Sequence, residues 1–173
     1  RQLLGVLVVA MVAHVLATLQ PVFSDEFLVL GNLWYFAQHR TIIPEHTKYP
    51  ALYSYLVVPV VGVFVALSLA SGYPPSMHEF PEWVTYHPEM GMWPARLVSL
   101  VCWGVCVWAV GRIAREMFED ADLGLLAAAI FAAALGTLQY SGFALPDVTM
   151  MMFATLSLTH ALQLARGDRP AVS

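Results

Sequence analysis

Four long apolar runs constrain this chain more than any other feature in it. Residues 3 to 20, 93 to 114, 123 to 142 and 147 to 165 each carry enough consecutive apolar side chains to cross the ~30 Å hydrocarbon layer of a bilayer as a helix. A soluble domain cannot bury that many. With 59% hydrophobic and only 12% charged residues in 173, and a mean hydropathy of +0.67, the chain falls among integral membrane proteins. The expected fold is an all-α, polytopic transmembrane helical bundle forming a single membrane domain over residues 1 to 173. The first run, 2 to 19, lacks the leading charges and the small-residue cleavage site of a signal peptide, so it reads as a retained anchor. Because the chain begins with Arg1 and ends just after an apolar run, it is expected to be an N-terminal piece of a longer protein.

A fifth apolar stretch, residues 50 to 70, is long enough to cross, but Pro50 and Pro59 disturb a straight helix. Arginine positions decide between the two topologies. With 50 to 70 lying along the outer interface, Arg1, Arg112, Arg115, Arg166 and Arg169 all fall on the cytoplasmic side, as the positive-inside bias prefers. The same choice collects Asp25, Lys48 and Asp147 on the outer side. Four spans, with external interface segments at 25 to 39 and 50 to 70, are therefore expected. The short acidic hinge from Glu116 to Asp122 makes the second and third spans antiparallel neighbours. Gly124, Gly136 and the alanines between them let helices approach closely.

Ionisable groups at the end of a membrane segment are costly, and those present there tend to face a cavity, a partner or a substrate. Asp25 and Glu26 stand directly after the first run. On a helix over 25 to 39, Asp25, Asn32 and His39 fall at i, i+7 and i+14, within about 40° of one another. Asp147, after Pro146, heads the last run, preceded by Tyr140-Ser141-Gly142. Lys48 is the only lysine and a natural partner for a phosphate. Each feature has a plain alternative: the acids as helix caps, the stripe as interface packing, the lysine as a snorkelling side chain. Both readings stand at this level. His78, Glu79, Glu82, His87 and Glu89 would allow a divalent metal by composition, but their spacing matches no ligand motif. No metal or other cofactor is assigned. Cys102 and Cys106, four apart in one apolar run, read as core cysteines. The net charge of −4 and the lack of a basic patch exclude nucleic acid as a partner.

Taken in order, Asp25-Glu26, Lys48-Tyr49-Pro50-Ala51-Leu52-Tyr53, Pro94-Ala95-Arg96-Leu97, Arg112-Ile113-Ala114-Arg115 and Tyr140-Ser141-Gly142-Phe143-Ala144-Leu145-Pro146-Asp147 resemble the N-terminal part of the GT-C membrane glycosyltransferases. The group concerned includes protein O-mannosyltransferases and the lipid A aminoarabinose transferase. The resemblance covers residues 3 to 165. It implies a polyprenyl-phosphate-linked sugar donor and a hydroxyl acceptor on lipid, glycan or protein. It implies a bacterial or archaeal plasma membrane with the site facing outside. Asp25 then matches the catalytic base or acceptor-orienting acid, Glu26 its neighbour, Lys48 the donor-phosphate ligand and Asp147 a second site acid. Asn32, His39, Tyr53, Arg96 and Tyr140 are supporting residues. Two departures stand out: Leu28 where the aminoarabinose enzyme has arginine, and Ala51 where a second proline is common.

The implied chemistry is a single, inverting displacement. An acceptor hydroxyl attacks the anomeric carbon as the lipid phosphate leaves; a carboxylate takes the proton and positive charge stabilises the departing oxygen. The alternative class is a non-enzymatic membrane protein, either a transporter-like bundle or a scaffold subunit. A common cavity for Asp25, Asp147 and Lys48 favours the first class, and dispersed side chains favour the second.

Overall fold

A computed structural model describes residues 2–17, 19, 26–44, 51–72, 76, 79, 82, 83, 86–134 and 143–167. All regular structure among them is helical, and the molecule is a helical membrane bundle. The helices among the described residues are, in order, α1 Gln2–Ala17, α2 Glu26–His39, α3 Ala51–Ala70, α4 Pro88–Phe118, α5 Ala121–Ala133 and α6 Pro146–Ala165.

The organising element is α4. Its 31 residues make a rod of about 46 Å at 1.5 Å per residue, well beyond the ~30 Å of a bilayer core. The excess length lets one helix serve two clusters. Along its middle, Cys102 and Trp103 pack with Ala10 of α1, Ala132 of α5 and Val148 of α6. Nearer its start, Met92 and Ala95 pack with Val29 of α2, Tyr53 and Val57 of α3, and Ala144. Val98 borders both clusters. The N-terminal third of α4 thus gathers α2, α3 and the segment leading into α6 around it.

Helix directions follow from contacts at the two ends. Ala144, just before α6, lies in the cluster around the start of α4. At the far end the Glu116 carboxylate of α4 lies beside Gln163 of α6 and Arg166 just after it, so α4 and α6 run the same way. The tight turn at Glu119, whose φ of 55° is left-handed, and the Asp120 cap reverse the chain into an antiparallel α5. Asp120 Oδ1 accepts from Asp122 N at 2.7 Å and Leu123 N at 3.2 Å, satisfying two of the donors that a helix start leaves open. α5 and α4 approach closely because Gly111 and Gly124 face each other. A Cβ on Gly124 would sit 2.7 Å from both the Arg115 Cβ and the Gly111 carbonyl oxygen.

The expected elements and the observed ones differ in extent. The second span, expected over 93 to 114, is part of a helix that begins at Pro88. Within the third, expected over 123 to 142, α5 ends at Ala133, where Ala134 is extended with its N–H turned back to the Phe131 carbonyl; residues 135–142 lie outside the described residues. His14 of α1 supports that early ending, since its Nε2 donates to the Ala132 carbonyl at 2.9 Å and its ring stacks on Trp103 at 3.7 Å. α3 continues through Pro59 because a proline removes only one helical hydrogen bond and α3 is held elsewhere by packing. Among the described residues, three helical stretches are long and apolar enough to cross a membrane by length and composition: Ala51–Ala70, Gly91–Phe118 and Pro146–Ala165. Ala51–Ala70 thus qualifies as a span by length and composition, and its expected interfacial position rests on its prolines, the arginine distribution and the gathering of Asp25, Lys48 and Asp147 on one side. Leu7–Leu16 and Ala121–Ala133 are shorter apolar helices.

Candidate functional site

The start of α4 carries a buried ion pair. Arg96 donates from Nε to Glu26 Oε1 at 2.9 Å and from Nη2 to Glu26 Oε2 at 2.7 Å, the two-pronged geometry that suits guanidinium to carboxylate. Both side chains are wholly buried. Glu26 Oε1 also accepts from the backbone N–H of Ala144 at 2.6 Å, and the Arg96 guanidinium lies 6.0 Å from the centre of the Phe143 ring. One carboxylate in the first turn of α2 thereby holds α4 and the segment leading into α6. Removing two charges from water is expensive, and the cost is offset only when geometry is good and remaining lone pairs are satisfied. Here the fork and the backbone donor meet that condition.

Tyr53 ties the third element to the same place. Its side chain is 2% exposed, and its hydroxyl donates to the Ala95 carbonyl at 3.0 Å while sharing a 2.9 Å hydrogen bond with Ser99 Oγ. Ala95 is the residue before Arg96. Asp147, exposed in the first turn of α6, follows Ala144 by three residues and so sits at the same end of the bundle as Glu26. Arg112, Arg115 and Arg166 lie at the other end, where Arg112 pairs with Glu116 at 2.7 Å and lies over Trp108 at 5.4 Å.

The polar stripe of α2 has a different form from the sequence pattern. Asn32 is 4% exposed and shares the packed face with Glu26 and Val29, whereas Phe27 and Trp34 are turned outward. The polar side of a helix faces inward when its outer surroundings are apolar, which is the arrangement lipid favours. His39 is exposed at the far end of α2, bonding through Nδ1 to the Tyr35 carbonyl at 3.3 Å and stacking on Tyr35. It stands 13 residues from Glu26, about 20 Å along the helix, and takes no part in the cluster. Asp25, Lys48 and Tyr140 lie outside the described residues. Ser99 was missed by the sequence reading; its signal is a hydroxyl one helical turn after Ala95 in an otherwise apolar run. Among the described residues no group of three or more His, Cys, Asp or Glu could hold a metal ion.

A family model described as dolichyl-phosphate-mannose-protein mannosyltransferase matches residues 2–170. The chain belongs to that family. It is a membrane glycosyltransferase of the mannosyltransferase type, and the family implies a polyprenyl-phosphate sugar donor. No curated protein and no solved structure matches the chain significantly. Within the family resemblance, the motifs at Asp25-Glu26, Tyr53, Pro94 to Leu97 and Phe143 to Asp147 come from four separate stretches of chain. The observed contacts join Glu26, Tyr53, Arg96 and Ala144 from these four stretches at one end of one helix.

Proposed function

We propose that this chain supplies the acceptor side and the donor-phosphate contact of a mannosyl transfer from a polyprenyl-phosphate mannose to a hydroxyl on a protein, at the external face of the membrane. Asp25 takes the proton from the attacking hydroxyl, Lys48 neutralises the departing phosphate, and Asp147 is the second acid of the site. Glu26 acts as the clamp that holds Arg96 and the Phe143–Asp147 segment beside Asp25, its neighbour in the chain. The carrying observation is the convergence of Glu26, Arg96, Ala144 and Tyr53 at the end of the bundle opposite Arg112, Arg115 and Arg166. A carboxylate buried against a guanidinium and a backbone N–H has its oxygens engaged, and so suits positioning better than proton transfer.

In a single displacement the new glycosidic bond forms as the sugar–phosphate bond breaks from the opposite face. The proton passes from the acceptor hydroxyl to Asp25, and the bonding electrons leave with the phosphate, where the Lys48 ammonium stabilises them. The test is a transfer assay in nanodiscs with the protein that contains this chain, a polyprenyl-phosphate mannose and a hydroxyl-bearing peptide. Mannosyl peptide with the anomeric configuration opposite to the donor's is expected, and Lys48→Ala should raise the donor KM. Retained configuration, or a donor KM unmoved by Lys48→Ala, contradicts these assignments.

A further inference from the structure

At the end of the bundle away from Glu26, two helices bring arginines to one carboxylate. Arg112 and Glu116 stand one turn apart on α4, and Arg112 donates from Nε to Glu116 Oε1 at 2.7 Å. Arg96 meets its acid with a fork of two N–H groups. Arg112 does not, and its two Nη groups have no hydrogen-bond partner among the described residues. Arg166, exposed where α6 closes, lies beside the same Glu116 carboxylate. Two positive charges thus face one negative, leaving a surplus of one positive charge at the α4–α6 seam. Arg115 belongs to the other flank of α4, its Cβ turned to Gly124 of α5, and the acids Glu119, Asp120 and Asp122 belong to the turn into α5.

The seam also lies at the depth of a membrane boundary. Arg112 is about 24 Å along α4 from Arg96 at 1.5 Å per residue, close to the ~30 Å of a hydrocarbon core. No Asp, Glu, Lys, Arg or His stands between them. Val101 and Trp108 are turned outward, 67% and 54% exposed, and Arg112 continues their stripe one turn after Trp108. Its guanidinium lies 5.4 Å from the centre of the Trp108 ring. Exposed tryptophans settle where acyl chains give way to headgroups, which places the guanidinium at the height of lipid phosphates.

We infer that Trp108, Arg112, Glu116 and Arg166 form a binding site for the headgroup of an anionic phospholipid. The Nη groups of Arg112 and the Arg166 guanidinium donate to the phosphate oxygens, and the Trp108 ring packs along the glycerol and first acyl carbons. A headgroup with a single net negative charge neutralises the surplus at the seam, whereas a zwitterionic one brings its own cation and does not. Basic positions between membrane helices at headgroup level suit acidic lipids for this reason. The site is independent of the chemistry proposed at the Glu26–Arg96 end.

The test reconstitutes the protein containing this chain into vesicles of equal parts phosphatidylglycerol, phosphatidylethanolamine and phosphatidylcholine. It is re-extracted in mild detergent, and the lipid that stays bound is counted by native mass spectrometry. Wild type is expected to retain phosphatidylglycerol over either zwitterionic lipid. Arg112→Gln and Arg166→Gln should each lower that preference about fivefold, the effect of one arginine near an anionic headgroup, and Arg112→Lys should restore part of it. Glu116→Gln should raise the preference, because it removes the competing carboxylate; a merely structural ion pair gives no such gain. Arg166→Gln changes an exposed residue outside the helix packing and serves as the variant to read if Arg112→Gln yields little folded protein. Equal retention of the three lipids by wild type marks an ordinary lipid annulus and overturns the inference. A phosphatidylglycerol preference that survives both arginine substitutions overturns it as well.

Discussion

Arg96 and Glu26 are each buried completely, so neither can lose its partner without leaving a charge stranded. Removing one member of a buried pair typically costs about 3–5 kcal/mol. Glu26→Gln and Arg96→Met should each lower the thermal stability of the purified protein strongly, and the double variant should lose much less than the sum, because the second change removes the stranded charge left by the first. Full additivity in that cycle would mean that the two side chains act independently. Arg96→Lys should behave like a loss, since an ammonium cannot reproduce the two parallel bonds to Oε1 and Oε2. The acid pair was visible in the sequence as an anomaly after the first apolar run, and Arg96 as part of a motif. Their pairing was not, because partners 70 and 118 residues apart leave no local trace: neither helical period nor capping pattern connects Glu26 to Arg96 or to the Ala144 N–H. Asn32 was legible as polar but its burial was not, since the same i+7 spacing serves a face toward water or one turned in from lipid.

Helix boundaries respond to local chemistry, and two of them give direct checks. Asp120→Ala removes the side-chain cap at the α5 start, where one carboxylate oxygen accepts from two N–H groups, and should cost about 1 kcal/mol in thermal unfolding. Gly124→Ala should cost more, about 1–3 kcal/mol, because its Cβ would meet the Gly111 backbone oxygen at 2.7 Å and a backbone cannot rotate away. A Gly124→Ala protein with wild-type stability would show that α4 and α5 separate more easily than their packing implies. The start of the last apolar run was readable to within a residue, since Pro146 marks it and proline is favoured in a helix's first turn. The early end of α5 was not readable, because the stretch through Ala133 and Ala134 remains apolar and helix-favouring. What supports the break is His14, 118 residues away, bonding to the Ala132 carbonyl. A histidine inside an apolar run was the available signal.

At the scale of the whole molecule, the bundle has two unlike ends. One gathers Glu26, Arg96, Tyr53 and the Phe143–Asp147 segment; the other carries Arg112, Arg115, Arg166 and the acidic turn from Glu119 to Asp122. Helical class and membrane placement were legible from apolar run length, which depends on bilayer thickness rather than on tertiary contacts. Which runs cross was less so, because Ala51–Ala70 has the composition of a span. A cysteine placed at exposed Ala121, with buried Cys102 and Cys106 left in place, should react with an impermeant maleimide only from the cytoplasmic side. Labelling from outside would reverse the orientation and put the gathered motifs on the inner face. If sugar transfer belongs to the Glu26–Arg96 end, as proposed, one variant from each end of the bundle should separate cleanly. In nanodiscs at saturating polyprenyl-phosphate mannose, Asp25→Asn should lower the rate of mannosyl transfer to peptide about 10²- to 10⁴-fold, while Arg115→Ala, at the opposite end, stays within about threefold of wild type on the same scale. A folded Asp25→Asn protein that turns over at a rate near wild type would remove sugar transfer from this end of the bundle.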